Sequence, residues 1–217
     1  MSKPPHATIA FLSATHLFSI ARAAVDQLKG VPEKENGHTE ACVAVLFAAS
    51  ALEAFSNEVG FIARSQLQGN PEIRSIGDLF EELEPSTSVQ SKFLLLRALL
   101  AKTPYDKGAR PYQDFSLLIA LRNELVHRKA EQYHVDEADV PLNTNALLEK
   151  LRSKNITAEP RGTKPQVWGL FLAIETPAVA RWALTTAATM IKETIAAAPA
   201  DLRMYMEGPY GAIMAAV

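Results

Sequence analysis

The chain has 217 residues, with 22 basic and 24 acidic side chains, a formal charge of −2 at pH 7 and 48% hydrophobic residues. This composition excludes a disordered or fibrous protein, and the length suits a single domain over residues 1–217. Its 34 alanines and 25 leucines favour helices. The charge excludes a surface coated with basic residues for nonspecific nucleic-acid binding, but it allows a local basic site.

Helical periodicity and turn-forming residues divide the first half of the chain into helices over 7–29, 40–68, 73–83 and 88–102. The first is amphipathic, which favours a helix of a folded domain over a signal peptide. The second is apolar on almost every side in its first half, so we expect it to be central and buried, with Thr39 as its N-cap. No stretch has the roughly 18 uncharged apolar residues of a membrane span, so we expect no membrane association.

The second half begins with Pro111, which suits the first turn of a fourth long helix over 112–130. Residues 131–176 predict a partly irregular insertion with a short helix over 144–154. Thr176 and Pro177 suit the start of a last long helix that ends near residue 198. The uncharged residues 208–217 are expected to pack on a neighbour. No segment alternates with the period of a strand, so the sequence predicts an all-α, up-and-down bundle of four to five long helices plus short ones.

Cys42 is the single cysteine of the chain, so an intrachain disulfide is impossible. A reducing cytoplasm is therefore the expected location. Because Cys42 lies in an apolar helical run, its pattern indicates packing and not reactivity.

The fourth long helix separates an apolar from a polar face at about 100° per residue. The predicted core arc contains Leu117, Leu118, Ile119, Leu121, Leu125 and Val126. The opposite face contains Ser116, Ala120, Asn123, Glu124 and His127. Arg122 falls inside the core arc, where its guanidinium must either extend to water or meet an acceptor.

The predicted central helix offers such an acceptor. Glu53 is aligned with Ala49, Asn57 and Gly60 along a stripe of mostly small residues, where another helix can approach closely. A pair of Glu53 with Arg122 would satisfy both charges. In the alternative, Arg122 extends to water and Glu53 faces solvent; the sequence leaves both open.

The segment Arg122-Asn-Glu-Leu-Val-His127 resembles the Arg-x(4–6)-His motif of HEPN domains, with Asn123 as the polar residue that commonly follows the arginine. The segment from Ala48 to Glu58 is similar to one often found in bacterial HEPN-like proteins, in the helix that packs against the motif helix. The resemblance spans residues 8–130 and the last helix, whereas residues 131–176 match no pattern of the family.

This resemblance implies a metal-independent endoribonuclease without a cofactor, usually a homodimer whose two motifs meet in a cleft between protomers. RNA supplies its own nucleophile, the 2′-hydroxyl. His127 would then act as general base or acid, Arg122 would stabilise the transition state, and Asn123 would orient the phosphate or His127. Glu53 and Asn57 would support this site. Nearby basic residues are candidates for RNA contact: Arg128, Lys129, Lys107 and Arg110.

One geometric point stays open at the sequence level. Five residues place Arg122 and His127 about 140° apart on an ideal helix. They share a site only if Arg122 reaches around the helix, the helix end distorts, or a partner protomer supplies one of them.

The family also suggests a toxin–antitoxin or phage-defence setting, with an antitoxin or a nucleotidyltransferase as partner.

Other interpretations compete with catalysis. Many HEPN-like domains are noncatalytic binding or scaffold modules, and an orphan bundle could use Arg122 in a core network and His127 at a helix dipole. Glu124 with His127, and Glu131 with His134, have the Glu-x-x-His spacing of di-iron bundles. Both pairs fall on one helix and its exit, which disfavours a metal site. The sequence has no Gly-rich phosphate or dinucleotide loop, so ATPase and dehydrogenase activities have no support.

Overall fold

The computed structural model describes residues 12–67, 69–83, 87–127, 146–158 and 170–216. These residues form nine α-helices and no strand, which confirms the predicted all-α bundle. The helices are α1 (Ser13–Gln27), α2 (Glu40–Gln66), α3 (Pro71–Leu83), α4 (Val89–Ala101), α5 (Tyr112–His127), α6 (Ala146–Ser153), α7 (Leu170–Ile174), α8 (Pro177–Ala197) and α9 (Ala200–Met214).

Helix α2 is the centre of the bundle, as its apolar sequence predicts. It packs most extensively on α1, α3 and α8, and it also contacts α4, α5 and α9. Ala44, Ala48 and Ala49 are fully buried, and such small side chains let neighbouring helices approach closely. Among the described helices α2 alone has the length and composition of a membrane span, but 56% of that apolar window is buried inside the bundle. Its apolar character therefore serves the core.

Four buried aromatic rings fix α4, α5 and α9 relative to α2. Phe55 of α2 meets Tyr210 of α9 edge-on, with ring centroids 5.0 Å apart, and Phe93 of α4 at 6.2 Å. Phe93 in turn meets Phe115 of α5 at 4.9 Å. Each aromatic pair at these separations stabilises the fold by about 0.5–1.5 kcal/mol, in addition to the effect of burying its surface. The cluster sets the position of α5, the helix that carries the motif.

Two of the helix starts involve predicted threonine caps, with different outcomes. The Thr176 hydroxyl accepts a hydrogen bond from the Val179 amide at 3.2 Å, which confirms it as the N-cap of α8. Thr39 precedes α2 but has a helical backbone, with φ −62° and ψ −21°, and its side chain makes no capping bond. The predicted cap is wrong at Thr39 because a capping side chain needs an extended backbone to reach the free amides.

Helix α9 corrects the prediction that the last helix ends the regular structure near residue 198. Arg203 Nη2 donates to the carbonyl oxygens of Ala196 and Ala198, at 3.1 and 2.9 Å, where α8 ends. A further helix of 15 residues follows, with Pro209 inside it. Tyr210 and Ile213 are buried, so this segment packs on α8, α2 and α1 of the same chain.

The predicted insertion contributes to the core. The short helix expected over 144–154 is confirmed as α6, and α7 is an additional helix. Leu148, Leu151, Leu170 and Ile174 are buried and belong to the main hydrophobic cluster. The rest of 131–176 lies outside the described residues.

Candidate functional site

Arg122 of α5 forms an ion pair with Glu53 of α2, between Nη2 and Oε2. The side chains are 20% and 45% exposed, respectively, so the pair lies where the groove between the two helices opens to solvent. Of the two alternatives that the sequence leaves open, the structure shows the pair. An ion pair this exposed contributes about 1 kcal/mol or less to stability. Its main effect is therefore to fix the direction of the guanidinium.

Asn123 holds the same guanidinium from the other side. Arg122 Nη1 donates to Asn123 Oδ1 at 3.1 Å, and the Asn123 side chain is exposed. Both bonds use the terminal nitrogens of the arginine, and the planar guanidinium carries further N–H donors suited to phosphate. Glu53, Arg122 and Asn123 thus form one polar cluster at the surface.

Asn57 lies one turn after Glu53 on α2 but has a different partner. Its Oδ1 accepts a hydrogen bond at 2.7 Å from Nζ of Lys92, a lysine of α4 that is only 3% exposed. This hydrogen bond ties α2 to α4, and the supporting role of Asn57 beside Arg122 stays a prediction. Sequence reasoning missed Lys92, although its phase among Val89, Phe93 and Leu96 marked it as core-facing.

The stripe of small residues on α2 meets three different helices. Glu53 contacts α5, Asn57 contacts α4, and Gly60 lies against Phe80 of α3. Residues three and four positions apart share one side of a helix, so a single side of α2 organises all three neighbours.

His127 is the last residue of α5, and its side chain is exposed. No described side chain forms a hydrogen bond or an ion pair with it. Because α5 is α-helical through His127, distortion of the helix before the histidine does not remove the offset of about 140°. Arg122 is turned toward Glu53, and no hydrogen bond or ion pair joins its guanidinium to His127.

The last turn of α5 also corrects part of the predicted core arc. Leu117, Leu118, Ile119 and Leu121 are buried as expected, whereas Leu125 is half-buried and Val126 is 54% exposed. The apolar face of α5 therefore extends beyond its buried part, into a last turn that is less well covered. Val126 lies four residues after Arg122 and therefore on the same face. An exposed apolar side chain thus borders the polar cluster.

The predicted RNA-contact residues separate into two groups. Arg128 and Lys129 lie outside the described residues. Lys107 is exposed and lines a cleft between α5 and α6, whereas Arg110 pairs with Asp114, Nε to Oδ2, at 3.2 Å. Asp114 also pairs with Lys154, which follows α6.

Sequence reasoning missed two further lysines of the cleft, Lys150 and Lys154. Their signal was the four-residue spacing, which places both on one side of a short helix and its exit.

Among the described residues, no group of three or more His, Cys, Asp or Glu side chains is arranged to hold a metal ion. Glu131 and His134 of the alternative di-iron arrangement lie outside the described residues.

A scan against protein-family models finds no match to the chain, and searches of curated proteins and of solved structures find no match either.

Proposed function

We propose that the protein is a metal-independent endoribonuclease of the HEPN type that acts as a homodimer. The observation that carries the proposal is the Glu53–Arg122 pair. It holds a permanently charged guanidinium at the surface, five residues before an exposed histidine of the same helix. The Arg-x4-His resemblance supplies the roles of the two residues.

The reaction needs few groups from the protein. The 2′-hydroxyl of RNA loses a proton to a base and attacks the adjacent phosphorus, and the 5′-oxygen leaves with a proton from an acid. An imidazole can accept a proton on one nitrogen and donate one from the other, so His127 serves as base or acid. Arg122 neutralises the charge that develops on the phosphorane oxygens, and Asn123 keeps the guanidinium aimed.

The geometry of α5 favours a site shared between protomers. Arg122 is committed to Glu53, and the regular helix carries His127 to another side. A twofold axis near the end of α5 would bring Arg122 of one protomer beside the partner's His127. The exposed Val126 suits such an interface, since burial of its side chain would favour association.

A nuclease of this kind would arrest growth when free. The proposal therefore includes a cytoplasmic toxin–antitoxin or phage-defence role, with an antitoxin or a nucleotidyltransferase as the restraining partner.

The alternative function is a noncatalytic HEPN-like binding or scaffold module. The specific observation in its favour is that Glu53 already neutralises Arg122. In that case Arg122 joins two helices, and the exposed end of α5 binds a partner protein.

The first prediction concerns cleavage of RNA in the presence of EDTA. We expect wild type to cleave and His127→Ala to lose activity by about 10²–10⁴-fold, the usual contribution of a positioned acid or base. Arg122→Ala should lose about 10²–10³-fold, the usual contribution of a donor that stabilises transition-state charge. His16→Ala, an exposed histidine of α1, is the matched control and should cleave like wild type. Unchanged cleavage by His127→Ala would contradict the catalytic role, and no cleavage by any form would favour the binding module.

Mixing the two inactive variants tests the shared site. If each site takes Arg122 from one protomer and His127 from the other, a mixed dimer regains one intact site. Co-expression should then restore about a quarter of wild-type activity by random pairing. No recovery on mixing, with dimers confirmed by light scattering, would place both residues of a site in one protomer.

A further inference from the structure

The cleft between α5 and α6 has a volume of about 620 Å³, within the range of about 300–1,000 Å³ typical of ligand sites. Leu117 of α5 and Leu147 of α6 give it an apolar lining, and Gln113 and Ser116 add polar groups. Such a mixture suits a ligand with a flat, partly apolar ring and a polar edge.

The charged groups of the cleft favour an anion. Among the described residues of its lining, three are lysines, Lys107, Lys150 and Lys154, and one is acidic, Glu124. No described acidic side chain pairs with the exposed Lys107 or Lys150. The cleft is therefore locally positive in a chain whose net charge is −2.

The inner lysine is held in place. Lys154 is 15% exposed and pairs with Asp114, which is 13% exposed and is shared with Arg110. Two cations therefore share one carboxylate, so Arg110, Asp114 and Lys154 together carry one net positive charge. The ion pair also anchors the residue that follows α6 to α5.

We propose that this cleft binds unpaired nucleotides of an RNA strand, an inference that rests on the proposed ribonuclease function. Lys107 and Lys150 contact the phosphates, and a base packs between Leu117 and Leu147. A duplex keeps its bases stacked inside, so only a single strand can insert a base into this lining. The substrate class is accordingly single-stranded RNA.

The cleft follows one face of α5 toward the motif. Ser116, Ala120 and Glu124 line it at intervals of four residues, and His127 is the next position on that polar face. The distance from Ser116 to His127 along the helix is about 16 Å. A strand bound in the cleft therefore leads to the histidine, on the side of α5 that does not carry Arg122.

Binding is measured separately from cleavage by using His127→Ala as the background. Anisotropy of a labelled 12-nucleotide single-stranded RNA should show at least tenfold weaker binding for Lys107→Glu/Lys150→Glu. Lys192→Glu, an exposed lysine of α8 outside the cleft, should bind like the background protein. In the milder Lys107→Gln/Lys150→Gln variant, the plot of log binding constant against log salt concentration should become shallower. Its negative slope should decrease in magnitude by about 0.7 for each lost phosphate contact.

A variant that binds RNA more tightly provides a test that misfolding cannot mimic. Glu124→Gln removes the acidic side chain among the described lining residues, and we expect it to tighten binding two- to fivefold. Single-stranded RNA should compete for the labelled strand better than the same sequence as a duplex. Equal binding by the background protein and Lys107→Glu/Lys150→Glu, or a preference for the duplex, would overturn the proposal.

Different results would overturn the ribonuclease proposal and the cleft proposal. If wild type cleaves RNA and Lys107→Glu/Lys150→Glu binds and cleaves equally well, the cleft assignment is wrong and the nuclease stands. If no form cleaves RNA but the lysine variants still lose binding of the single strand, the nuclease is wrong and the cleft stands.

Discussion

Cys42 shows how the environment of one residue sets its chemistry. It lies half-buried on α2, and burial, followed by the negative charge of Glu175, raises the pKa of its thiol to about 11. The thiolate is the reactive form, so very little of it is present at neutral pH. This agrees with the packing role that its apolar neighbours predict.

We therefore expect slow alkylation of native Cys42 by iodoacetamide at pH 7.5. The rate should rise about tenfold per pH unit until near pH 11. The urea-unfolded protein is the control, and its rate should level off near the ordinary thiol pKa of about 8.5. An alkylation rate that levels off near pH 8.5 in the native protein would contradict the raised pKa. Glu175→Gln should lower the pKa of the Cys42 thiol, because it removes a nearby negative charge.

The polar cluster was accessible to sequence reasoning only in part. Helical phase identified Arg122 as core-facing and Glu53 as a candidate acceptor, because phase depends on spacing along single helices, whereas the pair itself depends on the packing of α5 on α2. The partner of Asn57 was not predictable, since Lys92 reaches it through the packing of α4 on α2. A site completed by His127 of a second protomer would depend on an interface that no spacing encodes, so the composite site stays a prediction.

At the level of elements, the crossing of α2 and α3 depends on two glycines. A Cβ at Gly77 would lie 2.7 Å from both the Arg64 amide nitrogen and the Gly60 carbonyl oxygen. These are backbone atoms, so a side chain at Gly77 forces the helices apart. The close approach exists because neither glycine has a side chain at the contact.

Gly77→Ala should accordingly lower the free energy of unfolding by about 1–3 kcal/mol, the usual cost of overpacking. Gly211→Ala is the matched control, since a Cβ there meets nothing within 4 Å in α9. It should stabilise the protein by about 0.5–1 kcal/mol, because alanine favours a helix over glycine. Urea denaturation measures both. A neutral Gly77→Ala would show that α3 shifts without loss of packing.

Helices bounded by strong local signals were predicted well. Helices α2 and α4 end near glycine or proline and α5 begins after Pro111, and their predicted bounds agree with the structure within a few residues. Helix α9 was missed because Gly208, Pro209 and Gly211 disfavour a helix locally. Burial of Tyr210 and Ile213 overrides that preference. Helix α7 has five residues, too few for a periodic signal.

At the scale of the whole molecule, a buried carboxylate joins three helices that are distant in sequence. Glu58 of α2 is 9% exposed, and its Oε1 accepts the Ala14 amide of α1 at 2.9 Å. Its Oε2 accepts the hydroxyl of Tyr210, from α9, at 2.6 Å. Burial, then the hydrogen bond to Glu58 and its negative charge, raises the pKa of Tyr210 well above its ordinary value.

Removing the hydroxyl with Tyr210→Phe should cost about 1.5–3 kcal/mol, as expected for a buried hydrogen bond to a charged group. The raised pKa also fixes the pH dependence. The unfolded tyrosine loses its proton from about pH 10 while the folded one keeps it, so stability is present below pH 10 and falls as the pH rises.

Urea denaturation between pH 7 and 11 tests both effects. Tyr210→Phe should be less stable at pH 7 and should decline less above pH 10. Tyr205→Phe, a more exposed tyrosine of α9, should follow wild type at both ends. Parallel pH profiles for wild type and Tyr210→Phe would exclude the contact with Glu58 as the cause.

Glu58 also imposes an order on how the chain matures during synthesis. It follows Ala14 by 44 residues but precedes Tyr210 by 152. A ribosome-bound chain can therefore pair α1 with α2 early, while one carboxylate oxygen still depends on water. Burying that oxygen without its donor is costly. The nascent bundle must accordingly stay hydrated around Glu58 until α9 has been synthesised. The core therefore closes late in the synthesis of the chain.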